Sequence, residues 1–357
     1  MKNEKVMVAM SGGVDSAVAA LLVRDRGFET AGITMCLWSD HTPVPDETVT
    51  ATPDKNACEA RAIADRLGIP HVTIALGETF MARVVTPFME TYAAGKTPNP
   101  CVICNRDIKF GALPMIARDM GYPLLATGHY ARIIQDANGR YLLQKATDAS
   151  KDQSYFLWSL TQQTLSSVLF PLGGYTKPEI REIAATNGFE NAHKSDSQDI
   201  CFIPDGDYIS FIHAHSDKEF PKGRFLDVEG HTLGEHEGLL RYTIGQRKGL
   251  GLALGQPMFV KAKDPLQNTV TLCTDAELFE NRLTASEVNW IACDTPTAPI
   301  RAEVKIRYRH AAAPATVEPI DNGRVAVTFD TPQRAIAPGQ SVVFYDGDTV
   351  IGGGVID

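Results

Sequence analysis

The chain has no apolar run that approaches the length of a membrane-crossing helix, so no membrane partner is expected. Its first residues, Met1-Lys2-Asn3-Glu4-Lys5, lead straight into an apolar strand and lack the apolar core of a secretory leader, so a cytoplasmic location is expected. Positive charge is not in excess either: 34 Lys and Arg stand against 43 Asp and Glu, a net charge of −9. That balance speaks mildly against nucleic acid, although a local basic patch rather than the total decides such binding. There is no internal repeat and no low-complexity segment. Cysteine is sparse and odd in number, seven in 357 residues, and without a secretory segment the thiols are expected to be reduced. A closely spaced pair is then more readily reactive or metal-binding than a structural staple. What remains, 44% hydrophobic and 22% charged residues, is the composition of an ordinary globular protein long enough for two or three domains.

What is present is organised around Met10-Ser11-Gly12-Gly13-Val14-Asp15-Ser16. The apolar run Val6-Met7-Val8-Ala9 reads as a buried strand and Ala17 to Val23 as a helix, so the segment is a strand-to-helix turn. Two adjacent glycines let backbone N–H groups point at one spot, and the helix N-terminus adds partial positive charge, which makes a site for phosphate oxygens. Ser11 and Ser16 can add hydroxyl donors. Asp15 would repel the anion unless it caps the helix or holds a Mg²⁺. No Lys follows the glycines, so this is not a Walker A loop, and the cluster Gly249 to Gly255 has neither dinucleotide nor P-loop spacing.

Further strands are expected at Glu29 to Met35, His71 to Leu76 and Pro123 to Thr127, with a helix from Ala57 to Leu67 stopped by Gly68. A polar, Pro-containing stretch to about Lys55 reads as a surface loop. Alternating strands and helices predict a doubly wound parallel sheet with its ligands at the carboxyl ends of the strands. Phe80, Val84, Phe88 and Tyr92 mark a helix, after which Thr97-Pro98-Asn99-Pro100 reads as a stiff extended loop carrying Cys101 and Cys104. Helix is expected to return from Ile108 to Met120. Arg132 to Gln144 predicts a hairpin turning at Asn138-Gly139, Lys151 to Tyr155 the start of an aromatic helix, and Thr176-Lys177-Pro178-Glu179 a capping box. From about Asp205 short strands and Gly-rich turns take over, with Asn281 to Pro299 as a linker region and a small antiparallel barrel at the end. Arg301, Lys305, Arg307 and Arg309 alternate along one expected strand and could face phosphates.

Cys36, Cys58, Cys273 and Cys293 lie in apolar or helical contexts and read as packing. Cys101, Cys104 and Cys201 do not. A structural zinc site normally takes four protein ligands, with a second closely spaced pair or His partners, and no second pair exists.

Ser11 to Ser16 resembles the SGGxDS loop of the ATP pyrophosphatases, which cut ATP between its α- and β-phosphates and adenylate a substrate oxygen. With it come Thr97-Pro98-Asn99-Pro100 before Cys104-Asn105, Thr127-Gly128-His129-Tyr130, Lys151-Asp152-Gln153-Ser154-Tyr155, Asp196-Ser197-Gln198-Asp199-Ile200-Cys201-Phe202-Ile203, Gly245-Gln246-Arg247 and Pro338-Gly339-Gln340. In that order and from end to end, the chain resembles the bacterial tRNA-specific 2-thiouridylases. The resemblance implies an α/β fold. An ATP pyrophosphatase domain for adenylation and sulfur transfer would occupy 1–205, a small central β-rich domain 206–280 and a C-terminal β-barrel in contact with tRNA 281–357.

The resemblance also implies the chemistry. ATP with Mg²⁺ would adenylate the C2 oxygen of the wobble uridine of tRNA. Sulfur would then come from a persulfide on Cys201 with Cys104 as nucleophile, leaving a Cys104–Cys201 disulfide. A sulfur-carrier protein or a cysteine desulfurase relay would supply the sulfur. Ala9, Met10, Ser11, Gly12, Gly13, Val14, Asp15, Ser16, Met35 and Gly128 would bind ATP, and Asn99, Pro100 and Cys101 the target base. His129, Lys151, Asp152, Gln153, Tyr308, Arg309 and Gln340 would contact tRNA. One position departs from the family, whose usual residue three before the nucleophile is Asp where this chain has Cys101. Cys101, Cys104 and Cys201 could therefore ligate a [4Fe–4S] cluster instead, as in cluster-dependent tRNA thiolases, or Cys101 and Cys104 could form a recycling disulfide. Another adenylating ATP pyrophosphatase, such as an amidotransferase-type synthetase, would give Cys104 and Cys201 no role. A non-catalytic tRNA-binding or redox-sensing protein would give none to the intact loop.

Overall fold

The computed structural model describes residues 4–39, 42–43, 54–189, 200–203 and 205–357. Most of the polar stretch before Lys55 and the run Lys194 to Asp199 lie outside the described residues. The chain divides into two units, the first made of Met1–Val85, Cys101–Gln198 and Asp348–Ile351, the second of Thr86–Pro100, Asp199–Gly347 and Gly352–Asp357.

Apolar strands with no solvent face need cover on both sides, and the first unit supplies it. Its strands are β1 (Lys5–Ala9), β2 (Glu29–Cys36), the small ladder of β3 (Trp38–Ser39) and β4 (Thr42–Pro43), β5 (His71–Ala75), β6 (Leu124–Ala126), β7 (Ala131–Gln135), β8 (Tyr141–Lys145) and β9 (Val168–Leu169). Five of them form an all-parallel sheet in the order β5-β2-β1-β6-β9. The chain winds from β1 outward to one side and then to the other, so the switch point lies at the carboxyl end of β1, where the glycine turn follows. The expected doubly wound sheet is borne out.

Helix α1 (Val14–Asp25) buries Ala17 to Leu21 and Val23, because its small residues let it sit between the sheet and the helix Lys177–Thr186. Helix α2 (Lys55–Leu67) is capped by the Asp54 carboxylate, which accepts from Ala57 N, and stops at Gly68 with φ +67°. The β7–β8 hairpin turns at Asn138-Gly139, with the Asp136 side chain accepting from the backbone N–H groups of Asn138 and Arg140.

Two local expectations fail in this unit. The Cys101/Cys104 pair is helical: the helix starts at Pro100, runs as Pro100–Cys104 and continues through a wider-turned stretch, Asn105–Ala112, into Leu113–Asp119. Proline suits the first helical position, where its missing N–H is not needed, so Pro100 begins the helix that it was expected to exclude. Lys151 to Tyr155 opens only the short 3₁₀ turn Ser154–Phe156. There Tyr155, Leu157, Trp158 and Leu160 are all buried, which leaves no solvent face for an ordinary surface helix.

The second unit carries the helix Thr86–Ala93, the helix Tyr208–His215 and two β structures. Strands β10 (Gly223–Leu226), β11 (Thr232–His236), β12 (Phe259–Asp264) and β13 (Thr269–Cys273) form a sheet in the order β11-β10-β13-β12, packed on a core around Phe225, Val260, Val270 and Leu272. Strands β14 (Phe279–Trp290), β15 (Ile300–Lys305), β16 (Ala313–Pro319), β17 (Val325–Arg334), β18 (Ser341–Asp346) and β19 (Thr349–Ile356) follow in the order β14-β17-β16-β15-β18-β19. Pairing of β14 with β19 closes them into an antiparallel barrel.

The linker expected at Asn281 to Pro299 is overturned, since β14 runs through most of it and turns Leu283 and Ala285 inward. Register breaks at Glu280/Arg282 and Ser286/Asn289, the latter with Glu287 at φ +51°, blur the alternation that would have marked a strand. The expected basic strand is also broken. β15 ends at Lys305, Arg301 is paired with Asp330, and Arg307 donates to the carbonyls of Ile244 and Ala335.

Closure of the barrel depends on Gly352, where a Cβ would run into the Asn289 carbonyl and the Trp290 backbone. Gly352→Ala is expected to lower unfolding stability by about 1–3 kcal/mol. Gly255→Ala, which would meet nothing within 4 Å, is expected to leave the melting temperature unchanged in the same thermal scan.

Candidate active site

The glycine turn is shaped by its own serines. Ser11 N donates to Ser16 Oγ at 3.1 Å and Ser16 Oγ donates to the Gly13 carbonyl at 3.0 Å, so Ser16 braces the bend from inside. Gly12 has φ +72°, and a Cβ there would meet the Asn56 carbonyl at 2.8 Å and Glu59 Cβ at 3.0 Å on α2, so only glycine fits. Gly13 precedes α1 with no side-chain cap, which leaves the start of the helix to a ligand. Gly128, just past β6, would place a Cβ 3.0 Å from both Asp15 C and Ser16 N, so the absence of a side chain lets the two loops touch. Ala9 to Ser16 and Gly128 are thus brought together, and half-buried Met35 lies near the carboxyl end of the adjacent β2.

Asp15 neither caps α1 nor stands alone. Lys177 Nζ lies 2.8 Å from each of its carboxylate oxygens, and the Tyr130 hydroxyl donates to Oδ1 at 2.7 Å. The Lys177 side chain is only 7% exposed, the Asp15 side chain 31%, so the pair is largely withdrawn from water. Lys177 is itself fixed, with its backbone N–H on Asp148 Oδ2 at 2.9 Å and the capping box of Thr176 and Glu179 around it. A cation in the first turn of a helix opposes the helix dipole, so helix stability does not explain a lysine there. Neutralising Asp15 does. Nothing in the local sequence marks Tyr130 as a site residue, and the one signal for Lys177 is that unfavourable position.

On the cysteine helix Cys104 is buried and Cys101 keeps solvent contact. Protein nonetheless surrounds Cys101 closely enough that burial pushes its thiol pKa up, while Lys109 pulls the other way. His129 is buried against Phe110 and Phe170, with Nδ1 2.7 Å from Thr127 Oγ1. Burial first and Lys109 second hold its pKa well below the usual histidine range, so the ring is neutral. Asn105 is buried with its Nδ2 donating to the Phe156 carbonyl and its Oδ1 without a partner among the described residues. Cys58 is exposed and Cys293 only partly buried, so packing does not account for those two cysteines.

Several residues expected at tRNA have internal partners. The Asp152 carboxylate accepts from Ala146 N, Ser154 N and Ser154 Oγ, and Gln153 Oε1 accepts from Tyr130 N. Lys151 is half-buried. In the second unit Tyr308 lies under the Lys305 ammonium, Arg309 is exposed, and Gln340 bonds to the backbone of Thr97 and Pro98. Asn99 is half-buried and Pro100 buried. Cys201 is exposed on a turn anchored by buried Phe202 and Ile203, with Phe202 packed on Phe88 and Phe211.

Lys177→Met, similar in length and uncharged, is expected to weaken ATP binding by roughly tenfold to a hundredfold, because the half-buried Asp15 carboxylate then faces the phosphates uncompensated. Equilibrium binding measures this, and an unchanged affinity would mean that Asp15 is neutralised by something else.

Three family models match the chain: a tRNA methyl transferase HUP domain over residues 4–205, a tRNA methyl transferase PRC-barrel domain over 209–274 and an aminomethyltransferase beta-barrel domain over 280–356. The tRNA-specific 2-thiouridylase MnmA of Clostridioides difficile is 46% identical over 360 residues, covering 99% of this chain and 98% of that protein. That of Acetivibrio thermocellus is 46% identical over 363 residues and covers all of both. A solved 4-thiouridine synthetase–RNA complex with bound ATP is a distant likeness, with 19% identity and a TM-score of 0.36 over 59% of this chain and 50% of its own. With relatives of one kind matching it along essentially its whole length, the chain belongs to the family of tRNA-specific 2-thiouridylases.

Proposed function

We propose that this protein uses ATP to replace the C2 oxygen of the wobble uridine of tRNA with sulfur. The observation that carries the reading is the braced Gly12-Gly13 turn at the carboxyl end of β1, where the carboxylate of Asp15 is cancelled by Lys177 and phosphate can approach. The C2 carbonyl of uracil is a poor electrophile, so its oxygen must first become a leaving group. In the proposed sequence that oxygen attacks the α-phosphorus of ATP and pyrophosphate departs. The terminal sulfur of a Cys201 persulfide then adds to C2, and AMP leaves with the oxygen. The Cys104 thiolate attacks Sγ of Cys201, the sulfur stays on the base with the electron pair, and a Cys104–Cys201 disulfide forms. Two electrons from an external thiol restore both cysteines.

Exposure of Cys201 on an anchored turn suits a residue that a sulfur-carrier protein or a desulfurase relay must reach. Asn99, Pro100 and Cys101 are assigned to the target base, and Lys151, Tyr308 and Arg309 to tRNA. Neutral His129 can serve tRNA as a hydrogen-bonding group but not as a cation. Asp152 and Gln153, bonded to Ala146 and Tyr130, are assigned to holding the end of β8 and the start of β7 in shape. The oxygens of Asp15 are taken up by Lys177 and Tyr130, so Mg²⁺ would enter with the phosphates, as is usual for this ion. No described helix is long and apolar enough to cross a membrane, and the proposed place of action is the cytoplasm. The proposed division of labour follows 1–205 for activation and sulfur transfer, 206–280 as a central domain and 281–357 for tRNA contact.

A second reading is favoured by one observation: Cys101 and Cys104 lie one helical turn apart, so their thiols share a face. With Cys201 they could ligate a [4Fe–4S] cluster, which would supply an open iron able to bind a sulfide. The relay predicts that Cys201→Ser keeps tRNA-dependent exchange of pyrophosphate into ATP and loses 2-thiouridine formation. It also predicts that anaerobically purified protein is active without iron. Activity that tracks iron content and fails in Cys101→Ala would favour the cluster.

A further inference from the structure

The loop that leads to Cys101 is gripped at two points within the second unit. At its start Gly95 has φ +73°, and a Cβ there would meet Pro265 Cγ at 2.8 Å, in the turn after β12. Further along, the turn Pro338-Gly339-Gln340 that precedes β18 closes on Thr97 and Pro98. Thr97 N donates to the Pro338 carbonyl at 2.8 Å, and Gln340 Nε2 donates to the carbonyls of Thr97 at 3.0 Å and Pro98 at 3.1 Å. Gly339 has φ +87°, and a Cβ there would meet the Thr97 carbonyl oxygen at 2.9 Å and Thr97 N at 3.1 Å. The turn is itself fixed in the barrel, with Gly339 N on the Ile356 carbonyl at 2.8 Å and Ile356 N on the Gln340 carbonyl at 2.9 Å.

Donor arithmetic explains why a glutamine is needed. Pro98 and Pro100 have no N–H, so the stretch Thr97–Pro100 owns only the backbone donors of Thr97 and Asn99, too few to pair it as a strand. Something else must hold its carbonyls. A primary amide carries two N–H groups on one nitrogen, and in Gln340 those two match two successive carbonyls. With both N–H groups spent, Gln340 retains only Oε1, an acceptor that would repel a tRNA phosphate.

We propose that Gln340 is a positioning residue: it holds the target-base loop, and with it Asn99 and the start of the cysteine helix, in register for thiolation. This rests on the assignment of that loop to the target base. The barrel would then contribute to the rate of the reaction as well as to tRNA affinity.

The test uses Gln340→Met, which keeps length and loses both donors, with Gly339→Ala as an independent disruption of the same grip. In both variants amide hydrogen exchange at Thr97 is expected to rise about tenfold or more while β18 and β19 stay protected. The dissociation constant for tRNA is expected to stay within about twofold, and single-turnover thiolation to slow about tenfold or more. Unchanged exchange at Thr97 would overturn the grip. Faster exchange with unchanged thiolation would overturn the positioning role, and weakened tRNA binding with normal single-turnover thiolation at saturating tRNA would make Gln340 a tRNA contact. If the wild-type protein does not thiolate tRNA at all, the proposed function fails, while the exchange measurement still decides the grip.

Discussion

A carboxylate inside a phosphate-binding turn is a liability unless its charge is cancelled, and the Asp15–Lys177 pair is what makes this turn usable. The two residues are 162 positions apart and Tyr130, which shares the carboxylate, is 115 from Asp15. The loop at the start of the chain is therefore not a self-contained motif. It needs the end of β6, which brings Gly128 and Tyr130, and the helix that starts at Lys177, which crosses α1 on the same face of the sheet. Each of these contacts is intolerant of change for a different reason. Gly128 is held by a steric limit, Tyr130 by a hydrogen bond, and Lys177 by a charge that the helix alone would reject.

The second constraint is the shortage of backbone donors around the cysteines. Two prolines stiffen the approach to Cys101 and remove the N–H groups by which a loop usually ties itself down. The missing bonds are supplied from far along the chain by the Gln340 side-chain amide and the Pro338 carbonyl, and the lack of a side chain at Gly95 and Gly339 lets the segments approach. Thr86–Pro100 accordingly belongs with the second unit although the residues on either side of it belong with the first. The fold thus uses late segments to hold an early loop, which explains how motifs as distant as Thr97-Pro98-Asn99-Pro100 and Pro338-Gly339-Gln340 can occur in one chain for one purpose.

Much of this was legible in the sequence wherever the signal is local. The buried run before the glycine turn, the Gly68 stop, the Asn138-Gly139 hairpin and the capping box at Thr176 are each decided by a few neighbouring residues, and each is present. Readings failed where a nearby cue pointed both ways. Pro100 signals either an extended loop or a helix start, and the buried face beyond it decided for helix. In β14 two register breaks hid the alternation, and past β15 a bend after Lys305 broke what read as a basic strand. Lys177 and Gln340 could not be read for their partners at all, because nothing in either local sequence names a carboxylate or a pair of carbonyls more than a hundred residues away.

Activation of the base through its own C2 oxygen is tested most directly by tracing that atom. Unmodified tRNA carrying ¹⁸O at C2 of the target uridine is incubated with the enzyme, ATP, a sulfur donor and a thiol reductant, and the nucleotide products are analysed by mass spectrometry. Adenylation followed by sulfur displacement predicts that the label leaves in AMP, one atom for each 2-thiouridine formed, with none in pyrophosphate. Thiolated base with unlabelled AMP, or a modified base that keeps its labelled oxygen, would contradict it.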